Sequence, residues 1–146
     1  MAATVAAPVT TLTVEQVRVR IVGWQARVHR LRHRVRRLGH RLYVERATAR
    51  GYYMPLIRDV ARRNGISATG LYMMMHLESG GRTTAVGGGG AYLGLFQYSW
   101  STWRAAWNPW RASGIYDPTA QIRATARAVR VGYGPSMWPN TYWRAF

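Results

Sequence analysis

The chain contains no cysteine. Disulfides, thiol catalysis and thiolate metal sites are therefore excluded, while the redox compartment stays open. Lysine is absent too, so all 21 basic residues are arginines. Against them stand five acids, Glu15, Glu45, Asp59, Glu78 and Asp117, leaving a net charge of +16. So few carboxylates cannot pair with so many guanidiniums. Most arginines must face water or an anionic partner: nucleic acid, anionic lipid or an anionic cell-wall polymer. Any carboxylate chemistry must be found among the same five residues. Apolar runs are only a few residues long, too short to span a bilayer. The first twelve residues (MAATVAAPVTTL) lack the basic start and the apolar stretch of a signal peptide.

What is present is core-forming material. About 48% of the 146 residues are hydrophobic, with seven Trp and nine Tyr, which excludes full disorder. That length suits one domain plus one appended element. The expected layout is a flexible N-terminus over 1–12, a basic heptad-patterned helix over 13–46, and a domain over 52–146. Residues 47–51 form the junction.

The helix announces itself by spacing. Val14, Val17, Ile21, Trp24, Val28, Leu31, Val35, Leu38 and Leu42 step alternately by three and four, the a/d seam of a coiled coil or long bundle helix. Thr13 and Gln16 have the spacing of a capping box at its start. Residues at a are mostly β-branched and two of the central d residues are Leu, a lean towards two strands. Arg18, Arg20, Arg27, Arg32, Arg34 and Arg41 flank the seam and would repel their own kind in a parallel homodimer. Three readings stay open: packing on the rest of the chain, a partner protein or anionic surface, and a homodimer. His29 and His33, four apart, have a metal-gripping spacing but no third ligand nearby, so a solvated basic face is the plainer reading.

Further on, Pro55 to Asn64 reads as a short helix with Pro in its first turn and Gly65 as its stop. Asp59 reads as a solvated acid beside Arg62 and Arg63. Ser67 caps a second helix that ends at Gly80 and Gly81. On it Leu71, Met74, Met75 and Glu78 share one face. A carboxylate on an apolar stripe, in the last turn where the dipole is negative, favours its protonated form. A carboxyl protonated near neutral pH is what general acid catalysis needs. The alternative is an ordinary exposed glutamate at a frayed end. His76 reads as a packed histidine. Trp100, Trp103, Trp107 and Trp110 read as the buried stripe of a helix that Pro109 ends. Asp117 reads as the N-cap of a helix that stops near Gly132.

Glu78-Ser79-Gly80-Gly81, then Gly87 to Gly90, then Ala91-Tyr92-Leu93-Gly94-Leu95-Phe96-Gln97-Tyr98 resemble the lysozyme-like superfamily. The set is similar to soluble lytic transglycosylases, and closer in parts to resuscitation-promoting-factor domains, given Thr102-Trp103, Gln121-Ile122, Gly134 and Trp138-Pro139. The resemblance covers roughly residues 52–146. It implies a mainly α fold, a lysozyme-like helical domain with a small loop or β-wing region, preceded here by the basic amphipathic helix. It also implies a substrate, the glycan strand of peptidoglycan.

Glu78 would then be the catalytic acid, turning base while the sugar's 6-hydroxyl closes a 1,6-anhydro ring. Ser79 and Gln97 match positions that hold sugars, with local capping and turn bonding as their plain alternatives. Tyr92 and Tyr98 would wall the groove, with core packing as the alternative. Tyr133 is the candidate for a late sugar-holding tyrosine, with Tyr142 as its rival. A typical two-carboxylate hydrolase needs a partner within roughly 5–10 Å, and Asp59 and Asp117 are poor candidates. No metal or cofactor is expected. The expected partners are peptidoglycan, and an anionic wall polymer or partner protein on the basic helix, with nucleic acid ranked lower. The expected location is extracellular, at the cell wall or on a virion, as for a phage lysin. The competing readings are a muramidase-type hydrolase and an arginine-rich binding protein on an inactive lysozyme-like scaffold.

Overall fold

The structure is a computed structural model that describes residues 11–146. The expected flexible segment and the signal-peptide reading fall almost wholly outside the described residues. The chain is mainly helical: α1 (Val14–Ala49), α2 (Met54–Asn64), α3 (Ala68–Ser79), β1 (Val86–Gly87), β2 (Tyr92–Leu93), α4 (Trp100–Arg104), α5 (Pro118–Arg130), α6 (Gly134–Met137) and α7 (Tyr142–Ala145). It divides into two compact units, one ending at Leu42 and the other running from Tyr43 to Phe146.

In the first unit α1 opens with the capping box that the spacing predicts. Thr13 N–H donates to Gln16 Oε1 at 2.8 Å and Gln16 N–H to Thr13 Oγ1 at 3.2 Å, which satisfies two donors that a helix start leaves orphaned. The seam residues other than the half-buried Val28 are exposed along the helix, with Trp24 at 68% and Val35 at 67%. His29 and His33 touch edge to face, 4.5 Å between ring centroids. No described helix is long and apolar enough to cross a membrane.

The second unit begins earlier than the sequence suggests. The helix does not stop at residue 46, because Val44, Ala47 and Thr48 are buried and hold its last turns in the second unit. It closes beyond Ala49, where Tyr52 N–H returns to Ala47 O at 2.9 Å and Gly51 takes φ of 80°. Here α2 packs against α3 and α5, and α3 against α7. Ile57, Leu71, Met74, Phe96, Trp103 and Ile122 are sealed from solvent, and each such side chain contributes about 1.5–3 kcal/mol or more on burial. The expected caps are in place. Ser67 Oγ accepts from Gly70 N–H at 2.9 Å, Asp117 Oδ1 from Ala120 N–H at 3.0 Å, and Gly65 and Gly80 close α2 and α3 with φ of 67° and 64°.

Three expectations need correction. The tryptophan stripe is not one helix, since α4 ends at Arg104 and Ala105 is extended. Trp103 alone of the four is fully buried, while Trp100 lies exposed under the Arg104 guanidinium, 4.6 Å from its ring centroid. Asn108 carries the chain around instead, its amide donating to Trp103 O and accepting from Trp110 N–H, both at 2.9 Å. Asp59 is buried rather than solvated, with Arg62 Nη2 at 2.9 Å. His76 is exposed and leans on Tyr72 one turn earlier, 4.4 Å between ring centroids.

Candidate active site

Glu78 sits in the last turn of α3, on the same face as the buried Leu71, Met74 and Met75. Its carboxyl is half-buried, and the Thr141 hydroxyl donates to its Oε1. Burial raises the pKa of this carboxyl above its ordinary value, and the Thr141 hydrogen bond opposes part of the rise. The order is physical. Desolvation penalises the charged form, while a donor at the oxygen favours it.

Thr141 was not singled out from the sequence, and a chain of contacts explains its position. The Trp138 indole is buried and donates to Phe96 O at 2.8 Å. Its ring meets Tyr98 edge to face at 5.3 Å. The turn that follows is closed by Thr141 N–H to Trp138 O at 3.2 Å and Tyr142 N–H to Trp138 O at 2.8 Å. The end of α7 then presses on α3 at Gly70, where a methyl group would come within 2.6 Å of the Phe146 ring. Gly70 thus lets the C-terminal segment lie on the helix that carries Glu78.

Ser79 and Gln97 have structural partners. Ser79 is buried, its hydroxyl donating to Met75 O at 3.1 Å and accepting from Gly81 N–H at 3.1 Å. Its two local bonds fasten the end of α3 and so the turn that holds Glu78. Gln97 takes a left-handed φ of 52°. Its amide donates to Gly94 O at 2.9 Å and Ala85 O at 3.3 Å, tying the base of the β1–β2 hairpin. A methyl at Gly87 would lie 2.2 Å from Gln97 Oε1, so any side chain there would displace the Gln97 amide. The hairpin pairs Val86 with Leu93 and Gly87 with Tyr92, a small β region of the kind expected.

The three candidate tyrosines part company. Tyr98 is a correction: it is 2% exposed, its ring packs on Trp103 and Trp138, and its hydroxyl bonds Thr125 Oγ1 at 3.0 Å. It is core, with no face left for a sugar, and burial raises the pKa of its hydroxyl. Tyr92 is exposed over Gly88 and the hairpin turn. Tyr133 is exposed at the end of α5, edge-on to Trp107 at 5.9 Å. Its rival Tyr142 is half-buried against Gly134 and stacks on Phe146 at 5.2 Å.

Gln121 is the polar core residue that holds the loop before α4. Fully buried on α5, it accepts from Phe96 N–H at 2.8 Å and donates to Leu93 O at 3.1 Å and to Ile115 O. Phe96 is also the anchor of Trp138, so Gln121 and Trp138 hold the backbone of one residue, at its N–H and at its carbonyl. The remaining carboxylates of α2 and α5 are engaged elsewhere: Asp59 with Arg62 and Asp117 with the start of α5. Among the described residues no three His, Cys, Asp or Glu side chains cluster as metal ligands. No known family model matches the chain, and comparison with curated proteins and with solved structures gives no match either.

Proposed function

We propose that the second unit cleaves the glycan strands of peptidoglycan as a lytic transglycosylase, with Glu78 as its one catalytic carboxyl. The observation that carries this reading is the half-buried Glu78 carboxyl, proton-retaining through burial and aimed by the Thr141 hydroxyl. In the first step Glu78 gives its proton to the glycosidic oxygen as the C1–O bond breaks. The carboxylate then takes the proton of the sugar's own 6-hydroxyl, whose oxygen bonds to C1. The acid is regenerated, no water is consumed, and a 1,6-anhydro sugar is left. The engagement of Asp59 and Asp117 elsewhere supports a route that needs no second carboxylate. Tyr92 and Tyr133, both exposed, supply ring faces for sugars. The arginine surplus favours an anionic wall as the setting, reached by secretion or carried on a virion.

The test is mass spectrometry of soluble products from purified peptidoglycan. Wild-type protein should release anhydro-muropeptides. Glu78→Gln should lower release by about 10²–10⁴-fold, the range of general acid–base catalysis, with its far-ultraviolet spectrum unchanged. Reducing-end products would make the enzyme a muramidase. Equal activity of wild type and variant would sink the role of Glu78.

A further inference from the structure

The first unit presents a surface that the glycan chemistry does not use. The a/d seam of α1 runs from Val14 to Leu42, about 40 Å at ~1.5 Å per residue, and nearly all of it is exposed. The same stretch holds nine arginines and one acid. Taking Val14 as position a, Arg20, Arg27, Arg34 and Arg41 fill every g position, and Arg18 and Arg32 stand at e. These are the positions that face a partner helix across a seam.

We propose that α1 is one strand of a parallel, two-stranded coiled coil whose other strand is an acidic heptad helix of a partner protein. Four β-branched residues at a, with Leu31 and Leu38 at d, suit that strand number and direction. A second copy of this chain is the wrong partner, because Arg27 at g would meet Arg32 at e across a parallel seam and Arg34 would face its own kind in an antiparallel one. A flat membrane is also a poorer fit. A strict seven-residue repeat drifts around a straight helix by ~20° per heptad, which supercoiling about another helix corrects and lying on a plane does not. Duplex nucleic acid would satisfy the arginines and leave the seam in water. Carboxylates at the edge facing the g row satisfy both features at once. The inference stands on α1 alone and does not depend on Glu78.

The test uses the full chain and a synthetic four-heptad helix with Val at a, Leu at d and Glu at e and g. A second peptide keeps every Glu but carries Ala at a and d. Titration calorimetry should show a 1:1 complex with the first peptide, at least about tenfold tighter than with the second, because the seam adds buried apolar area that charge alone does not. Leu31→Asp should weaken it roughly a hundredfold, since a carboxylate in the seam is desolvated without a partner. Arg27→Glu combined with Arg34→Glu should weaken binding of the acidic peptide and restore it for a counterpart that carries Lys only at the two positions facing residues 27 and 34. That exchange shows that the variant helix still folds. Equal binding of both acidic peptides would overturn the proposal. So would sedimentation showing a tight dimer of the chain alone. Tighter binding to duplex DNA or phosphatidylglycerol vesicles, unaffected by Leu31→Asp, would hand α1 to those partners instead.

Discussion

The two units use the same amino acids under different accounts of stability. Between Val14 and Leu42, valines, leucines and a tryptophan recur at helical spacing, yet they meet water. Between Tyr43 and Phe146, side chains of the same kinds are sealed, and Asn108, Gln121 and Thr125, sealed with them, are hydrogen-bonded. The first unit rests on local interactions: a capping box, i→i−4 bonds and a repeat. The second rests on contacts between residues distant in sequence. A helix secured locally can keep a long apolar stripe ready for something else to cover, whereas a unit secured by burial commits the side chains that stabilise it to its interior. On the two proposals above, helix pairing would fall to the first unit and chemistry at a half-buried acid to the second.

The sharpest way to break this comparison is to empty the second core. Trp103→Ala should cost that unit about 3–5 kcal/mol. Hydrogen exchange should show lost protection in α2, α3 and α5 with none lost over residues 14–42. If both regions lose protection together, the two are one cooperative unit and the contrast fails.

A smaller change acts at the site. Thr141→Val removes a donor that favours the charged form of Glu78 and leaves desolvation unopposed, so the raised pKa rises further. A general acid works while protonated. The alkaline limb of kcat/KM should move to higher pH in the variant, and a limb that stays in place would remove Thr141 from the site. The same sign governs stability. Because folding raises the affinity of Glu78 for its proton, its contribution weakens as pH climbs from the ordinary carboxylate value through the raised one.

The smallest effect belongs to α1. Gly23 and Gly39 lie inside the helix, and a methyl at either meets no atom within 4 Å. Gly23→Ala should therefore add about 1 kcal/mol to local helix stability. Slower amide exchange around residue 23, with no change in the melting of the second unit, would sharpen the contrast. A shift in that melting would blur it.

How much was legible in the sequence follows from the range of each interaction. Thr13 with Gln16, Ser67 with Gly70 and Asp117 with Ala120 are each three residues apart, and the spacing itself carries the information. The burial of Glu78 was also legible, because Leu71, Met74 and Met75 lie within two turns of it. Thr141 was not, since it meets Glu78 across 63 positions and looks like any surface threonine. Gln121 drew notice only as part of a resemblance, and its grip on Phe96 crosses 25 positions. Tyr98 misled for a related reason: a tyrosine beside a sugar-site motif reads the same whether its ring faces in or out. Thr125, its partner 27 residues on, decides that it faces in. The break after α4 was hidden because tryptophan spacing imitates a helix, while the Asn108 bonds that turn the chain leave no periodicity.

The 63-residue span between Glu78 and Thr141 also sets the order in which things come apart. Closing so long a loop carries an entropic cost that short-range caps avoid, and contacts of this kind assemble late in folding. The α7 end of that loop is a single turn, its residues half or fully exposed, the sort of segment that opens ahead of a core. Warming should therefore disarm the acid before the body around Trp103 melts, with activity falling at a lower temperature than the near-ultraviolet signal of the tryptophans. On the proposed function, the setting of Glu78 would be the first part of the second unit to be lost.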